Sequence, residues 1–142
     1  EADASGRHAD AEAGYRHAIG LDPKHARAMC NLGNLIFASG RFRTASELYR
    51  AATRAEPSLP QAWYNLANAL DELENVAEAL SAYAECLRLD PGYADAHFNA
   101  GLLNEKQGLR EQARHHWMAF IELTPEHHPA RQTARAFLEI QD

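Results

Sequence analysis

The prolines of this chain recur at a constant distance. They stand 34 positions apart, at Pro23, Pro57, Pro91 and Pro125. The same step relates a set of alanines and a set of aromatic residues, namely Ala11, Ala45, Ala79 and Ala113, and Tyr15, Tyr49, Tyr83 and Trp117. A fixed period of this length is typical of proteins built from stacked copies of one unit that cannot bury its apolar face alone. The period therefore predicts a repeat array instead of one closed core.

Each copy has the pattern of two helices. In the copy at 60–93, apolar residues recur every third or fourth position in two segments that a short polar break separates, which gathers them on one face of each helix. Pro91 closes the copy, because proline disfavours the helical conformation of the residue before it. Gly40 and Gly108 can adopt the left-handed conformation that ends the first helix, and Glu74 is the exception at this place.

The recurring residues of the second copy have a recognisable order. They are Trp63, Leu66, Ala67 and Leu70, followed by Ala79, Tyr83, Cys86 and Pro91. This order resembles the tetratricopeptide repeat, whose pattern runs W-x2-L-G-x2-Y, then A-x3-F-x2-A, then P. The resemblance implies an all-α fold, a right-handed α-solenoid of helix-turn-helix repeats. It divides one domain, 1–142, into a partial repeat (1–25), full repeats (26–59, 60–93 and 94–127) and a capping helix (128–142).

The third copy departs most from the pattern. His97 stands where the pattern has tryptophan, and Asn104 replaces an apolar or aromatic residue. We therefore expect the first helix of this copy to be the least apolar of the three, with His97 as a packing residue between helices.

Asparagines also recur in register. Asn31, Asn65 and Asn99 occupy one place in successive copies, and Asn34 and Asn68 form a second row. The first helices of tetratricopeptide arrays line a concave groove, so the resemblance implies that these amides face it. A carboxamide offers one acceptor and two donors, which suit the backbone of an extended partner. We expect the groove to bind an extended peptide or a partner helix; the alternative is that the amides bond to nearby loop carbonyls or face water.

Other residues of the first helices extend this expected site. Tyr64 and Phe98 precede their asparagines by one position and are expected to add apolar contact. The polar residues expected in the groove are Arg27, Gln61, Asp71, Asp95 and Glu105, together with Glu72 and Lys106. The excess of acids favours a partner with some Lys or Arg. A carboxylate clamp is not expected, because Cys30, Asp95 and Asn99 stand at places where that clamp needs basic residues.

Composition and motifs argue against several other functions. The formal net charge of −6 gives no basic surface for nucleic acid. No apolar run reaches the roughly 20 residues that span a bilayer. Cys30 and Cys86 have no paired or metal-binding spacing, which indicates reduced thiols and a cytoplasmic location. No catalytic motif or cofactor site is present, and His115 and His116, as neighbours on a helix, point about 100° apart and do not suit one metal ion.

Two alternative functions involve a larger assembly. Because the chain begins with Glu, we expect it to be part of a longer protein. The incomplete first repeat leaves an apolar side that could form a homodimer through Ala11, Tyr15, Ala18, Ile19 and Leu21. The closing run resembles the last repeat and cap of bacterial tetratricopeptide domains, some joined to a MerR-like DNA-binding head. The domain could then be a self-association or sensing module of such a regulator, or of a transferase.

Overall fold

The computed structural model describes residues 10, 12–17, 19–20 and 25–141, and this part of the chain is helical without strands. The described positions between 10 and 20 are helical. Seven further helices follow: α1 (Ala26–Ala38), α2 (Phe42–Ala55), α3 (Pro60–Glu72), α4 (Val76–Leu89), α5 (Ala94–Lys106), α6 (Arg110–Leu123) and α7 (Arg131–Gln141). The predicted all-α fold is confirmed.

The helices form hairpins that stack along the chain. α1 packs on α2, α3 on α4, and α5 on α6. The second helix of each hairpin also packs on the next element, so that α2 contacts α3, α4 contacts α5, and α6 contacts α7. The first helices touch as well, α1 with α3 and α3 with α5. This arrangement places α1, α3 and α5 side by side on one face.

The first helix of each hairpin is followed, at the same place of each repeat, by one residue in the left-handed conformation. The φ angles are 85° at Gly40, 63° at Glu74 and 74° at Gly108. The amide of the following residue then reaches back to the last turn of the helix; for example, the N–H of Asn75 donates to the carbonyl of Leu70 at 2.9 Å. The two glycines fit this conformation without steric cost, whereas Glu74 adopts it as the only non-glycine with positive φ among the described residues.

Small residues let the two helices of a hairpin approach closely. A Cβ atom on Gly33 would lie 2.6 Å from Cε1 of Tyr49, and one on Gly101 would lie 3.0 Å from Cζ2 of Trp117. Both aromatic rings are buried. The pairing of a small residue with an aromatic ring therefore sets the spacing of these hairpins.

Helix α7 covers the last hairpin. The ring of Phe137 stacks on that of Trp117 with centroids 5.1 Å apart and an interplanar angle of 3°. Arg131 is buried, and its guanidinium Nη1 donates to the carbonyls of Ile121 and Thr124 at 2.5 and 2.6 Å. These bonds satisfy backbone groups that the end of α6 leaves open. The predicted capping helix thus has both an apolar and a polar attachment.

Part of the expected self-association surface lies at the N-terminal end. Ala11, Ala18 and Leu21 fall outside the described residues. Tyr15 and Ile19 are half-buried and pack against the core of the first hairpin. Homodimerisation through this surface stays a prediction.

Candidate functional site

The recurring asparagines lie on the three helices that share one face. Asn31 is on α1, Asn65 is on α3 and Asn99 is on α5. Asn31 is exposed, while Asn65 and Asn99 are half-buried. Together with Asn34 on α1 and Asn68 on α3, these residues are called the amide row below.

Tyrosines fix the orientation of two amides in the row. The hydroxyl of Tyr49 donates to Oδ1 of Asn34 at 2.6 Å, and the hydroxyl of Tyr83 donates to Oδ1 of Asn68 at 2.5 Å. Burial raises the pKa of both tyrosine hydroxyls well above its ordinary value, so both stay protonated and can donate. Each tyrosine belongs to the second helix of the same hairpin. The amide oxygens are therefore used internally. Among residues 25–141 the amide nitrogens of Asn34 and Asn68 make no hydrogen bond of good geometry, although the Asn68 amide lies close enough to the Tyr64 hydroxyl to help lower its pKa, which burial raises.

Asn99 has the opposite orientation and joins two hairpins. Its Nδ2 donates to the hydroxyl oxygen of Tyr64 at 3.0 Å and to Oδ1 of Asn68 at 3.1 Å. Both N–H groups of this amide are thus used, and its Oδ1 accepts no hydrogen bond in the described part of the chain. Asn68 Oδ1 accepts from Tyr83 and from Asn99, which fills both of its lone pairs.

The contact between the first and second hairpins lacks the hydrogen-bonded link that Asn99 forms between the second and third. Asn65 is the counterpart of Asn99, but Cys30 stands where Tyr64 would be. The Asn65 side chain lies beside the Cys30 thiol, whose pKa is raised by burial and lowered to a lesser extent by this neighbour. A neutral thiol is a weak acceptor, and the buried Nδ2 of Asn65 has no hydrogen-bond partner among the described residues. The cross-link between hairpins is present at Asn99 and absent at Asn65.

The amide row therefore alternates in polarity. Asn34 and Asn68 leave N–H donors unbonded, Asn99 leaves its carbonyl oxygen unbonded, and Asn65 leaves both its carbonyl oxygen and its buried Nδ2 unbonded, each within the described residues. Sequence reasoning predicted the asparagines but missed the tyrosines that orient them. The available signal was the 15-residue separation of each Asn–Tyr pair, repeated in the next copy.

Tyr64 and Phe98, the residues expected to add apolar contact, each pack part of the ring against neighbouring aromatic residues. The Tyr64 ring packs beside Tyr93 with centroids 4.9 Å apart. The Phe98 ring contacts Trp117 at 5.4 Å and Phe120 at 5.1 Å. Both Tyr64 and Phe98 are half-buried, so each leaves part of a rigidly placed ring accessible.

The polar and charged residues of the expected groove differ in whether they are exposed or bonded within the protein. Arg27, Gln61 and Asp95 are exposed. The carboxylate of Glu105 instead accepts a hydrogen bond from the indole Nε1 of Trp117 at 3.0 Å. Glu105 therefore joins α5 to α6, a role that the sequence reasoning did not foresee.

An acidic cleft adjoins the amide row. Asp71 is half-buried one helical turn after Asn68, and its charge helps to raise the pKa of Tyr83, although burial is the larger cause. It lines a cleft of about 480 Å³ together with Glu72, Glu74, Val76, Leu103, Lys106 and Gln107. The cleft combines three carboxylates and one ammonium with apolar walls.

Other kinds of site are not visible in the described residues. No three His, Cys, Asp or Glu side chains there are grouped so that they could hold a metal ion. None of the helices in the described ranges has the length and apolar character needed to cross a membrane.

Comparisons with known proteins agree with the repeat and with the fold. A family model described as tetratricopeptide repeat matches residues 1–42, 30–94 and 67–128. No curated protein matches the sequence significantly. The fold is similar to that of MamA, with a TM-score of 0.85 and 22% identity over 98% of this chain and 81% of that one.

Two other solved structures of similar fold belong to proteins that are described as bound to a peptide or as having a peptide-binding site. One is the first tetratricopeptide domain of Spaghetti (RPAP3) bound to the HSP90 peptide SRMEEVD, with a TM-score of 0.77 and 24% identity over 84% of this chain and 95% of that one. The other is YrrB, described as having an unusual peptide-binding site, with a TM-score of 0.76 and 24% identity over 99% of this chain and 74% of that one. These likenesses show the predicted right-handed α-solenoid.

Proposed function

Because the chain belongs to the tetratricopeptide repeat family, we propose that it is a protein-interaction scaffold that binds an extended peptide segment along the amide row. Its role is binding and not catalysis. Two proteins of the same fold are described as bound to a peptide or as having a peptide-binding site, which supports this class of function. The alternating polarity of the amide row is the observation that carries the proposal.

An extended backbone matches that polarity. Each residue of an extended chain directs its N–H and its C=O to the same side, which is how antiparallel strands exchange pairs of hydrogen bonds. Asn68 can donate to the peptide carbonyl through its free N–H, and Asn99 can accept from the peptide amide through its free Oδ1. Packed helices lie roughly 8–10 Å apart and an extended chain advances about 3.3 Å per residue, so successive helices would meet about every third peptide residue.

The orientation of the amides is set before a partner arrives. Tyr83 and Tyr64 hold Asn68 and Asn99 in place, so fewer rotamers are lost on binding. Each backbone contact contributes about 0.5–1.5 kcal/mol, which predicts modest affinity from the amide row alone. Side-chain contacts must supply the remainder.

The acidic cleft defines one such contact. Its carboxylates favour a Lys or Arg side chain, whose aliphatic stem can lie against Val76 and Leu103. We expect the partner to carry a basic residue close to the segment that meets Asn68 and Asn99. A C-terminal carboxylate has no clamp of basic residues here, since Cys30, Asp95 and Asn99 occupy the corresponding places.

One isosteric substitution tests the donor role of the amide row. Asn68→Asp keeps the inward oxygen that accepts from Tyr83 and Asn99, and it replaces only the free N–H by an oxygen. A 12-residue peptide selected from a random display library on the wild-type protein serves as the probe, measured by fluorescence anisotropy. We expect Asn68→Asp to weaken binding of this probe at least tenfold with little change in stability.

The control separates geometry from added charge. Gln132→Glu makes the same change of amide to carboxylate at an exposed position on α7, away from the amide row and from the acidic cleft. It should leave the affinity within about twofold of wild type. Probes that carry one backbone N-methyl group locate the peptide N–H that the amide row binds. Equal affinity of Asn68→Asp and Gln132→Glu, with no sensitive N-methyl position, would exclude backbone recognition by these amides.

A further inference from the structure

The third hairpin contains two histidines in direct contact. Nδ1 of His97 on α5 lies 2.9 Å from Nδ1 of His116 on α6, and Nε2 of His97 lies 3.1 Å from the carbonyl oxygen of Pro91. His97 is only 7% exposed and His116 is half-buried. The pair therefore forms part of the packing between the two helices of this hairpin.

The tautomers follow from the partners. A carbonyl oxygen can only accept, so Nε2 of His97 must carry the proton that it donates to Pro91. The Nδ1 of a neutral His97 is then an acceptor, and His116 donates to it from Nδ1–H. A single added proton keeps the bond only if one ring still presents a bare Nδ1, whereas charging both rings places two Nδ1–H groups against each other at 2.9 Å, which removes the hydrogen bond and adds like-charge repulsion.

The second hairpin has a matching contact that cannot titrate. The indole Nε1 of Trp63 donates to the carbonyl oxygen of Pro57 at 2.9 Å. Trp63 and Pro57 are 34 positions before His97 and Pro91, so both side chains donate to the same backbone site of their repeats. Histidine keeps this donor and adds a second ring nitrogen, which faces His116. In the second hairpin the place of His116 is held by Ala82.

We propose that the His97–His116 contact makes the third hairpin acid-sensitive, so that protonation releases α5 from α6 while the second hairpin stays closed. Burial is the main cause that lowers the pKa of both rings, and it lowers that of His116 to about 4. The folded hairpin thus keeps these rings neutral at pH values where the unfolded chain binds protons.

The titratable groups of α6 near the His97–His116 pair are His115 and Glu111. From α6, His115 has its ring centroid 6.4 Å from that of His97 and 5.6 Å from that of His116, and it lowers the pKa of both. Glu111 lines the same surface cleft as His115 and His116. Among the described residues, no charged group of α3 or α4 contributes to the lowered pKa of either ring. No carboxylate therefore stabilises the protonated pair from these helices.

The sign of the effect is fixed by the lowered pKa. Between pH 6.5 and about 4, the unfolded state binds a proton at His116 that the folded state does not bind, so stability falls as the pH falls through this window. A pKa gap of about 2.5 units corresponds to at most about a 300-fold rise in the unfolding constant from His116 alone. Only about a unit or more above pH 6.5 are both states essentially unprotonated, and the pair then has no pH dependence.

The second hairpin provides the residue pair for a control variant of the third. The double variant His97→Trp and His116→Ala restores the residue pair of the second hairpin and keeps a donor for Pro91. Urea unfolding of wild type and variant is compared at pH 7 and pH 4.5. All other titrating groups are shared, so the wild-type unfolding constant should rise roughly 50-fold more than that of the variant. Equal pH dependence in the two proteins would overturn the proposal.

A second measurement does not depend on the variant folding well. Imidazole ¹⁵N chemical shifts of the wild-type protein report tautomer and protonation directly. We expect Nε2–H at His97, Nδ1–H at His116, and no protonation of His116 until the pH approaches 4. Titration of both rings near pH 6.5 with the fold intact would overturn the proposal as well.

A consequence for binding rests on the proposed function. α5 also carries Phe98 and Asn99, so release of α5 from α6 would disturb one end of the amide row. The selected peptide should then dissociate from wild type more readily than from the double variant as the pH approaches 4. Equal affinity of the peptide for wild type and Asn68→Asp at pH 7 would count against the proposed function alone, since the unfolding and imidazole measurements need no ligand.

Discussion

Replacing Asn99 by Asp tests whether the amide row is cross-linked as described. The change is isosteric, but it converts the nitrogen that donates to Tyr64 and Asn68 into an oxygen. The hydroxyl of Tyr64 can turn and donate to the new carboxylate. Oδ1 of Asn68 has no proton to give, so an N–H···O bond of 3.1 Å becomes a contact between two acceptors.

The cost follows from these contacts. One hydrogen bond of about 0.5–1.5 kcal/mol is lost, and the facing oxygens leave a partly buried charge opposite an acceptor, which adds a cost of similar size. We expect Asn99→Asp to lower the free energy of unfolding by about 1–3 kcal/mol at pH 7. Urea denaturation followed by far-ultraviolet circular dichroism measures this difference.

A matched variant makes the result decisive. Asn68→Asp keeps every internal bond of its oxygen, and the bonds that this oxygen accepts become charge-assisted, so its stability should stay within about 1 kcal/mol of wild type. The two variants carry the same charge change on adjacent helices. If Asn99→Asp is as stable as wild type, or if Asn68→Asp loses as much stability, the orientation assigned to the amides is wrong.

Three further substitutions probe the backbone and the cap by urea denaturation or hydrogen exchange. Glu74→Gly should stabilise the protein by about 1 kcal/mol, because it removes a side chain from a left-handed residue. Gly33→Ala should destabilise it by about 1–3 kcal/mol despite the better helix propensity of alanine, because the new Cβ meets the buried ring of Tyr49; an increase in stability would contradict this. Arg131→Met should remove two bonds to the end of α6 and cost about 2–3 kcal/mol, with exchange protection lost first in α7; uniform loss of protection would count against a capping role.

The fold could be predicted from the sequence because its signal is repeated. The 34-residue step of the prolines, the small residues opposite aromatic ones and the two glycines at the hairpin turns each report the same unit several times. Agreement among copies compensates for the ambiguity of any single segment. Glu74 shows the limit, since the sequence marks it only as the exception at this place and its left-handed conformation is seen in the structure.

The chemistry of the candidate site depends on pairs that one copy does not reveal. The register of Asn34 and Asn68 was visible, but the direction of each amide depends on a tyrosine hydroxyl from the opposite helix. The capture of Glu105 by Trp117 depends likewise on three-dimensional packing. Spacing indicates which face a side chain occupies, whereas hydrogen-bond partners decide which of its atoms stay free.

Cys30 stands at the joint between the first two hairpins, where the next joint has Tyr64, and this difference affects how the hairpins are held together. Asn99 ties the second hairpin to the third, but the joint between the first two hairpins has no such amide bond and carries instead the exposed ion pair of Arg50 and Glu78, which contributes little. In a linear array, stability is set joint by joint. The joint between the second and third hairpins therefore depends on side-chain hydrogen bonds, whereas the joint between the first two depends on the packing of α2 on α3, so that loss of the Asn99 amide should loosen only the former.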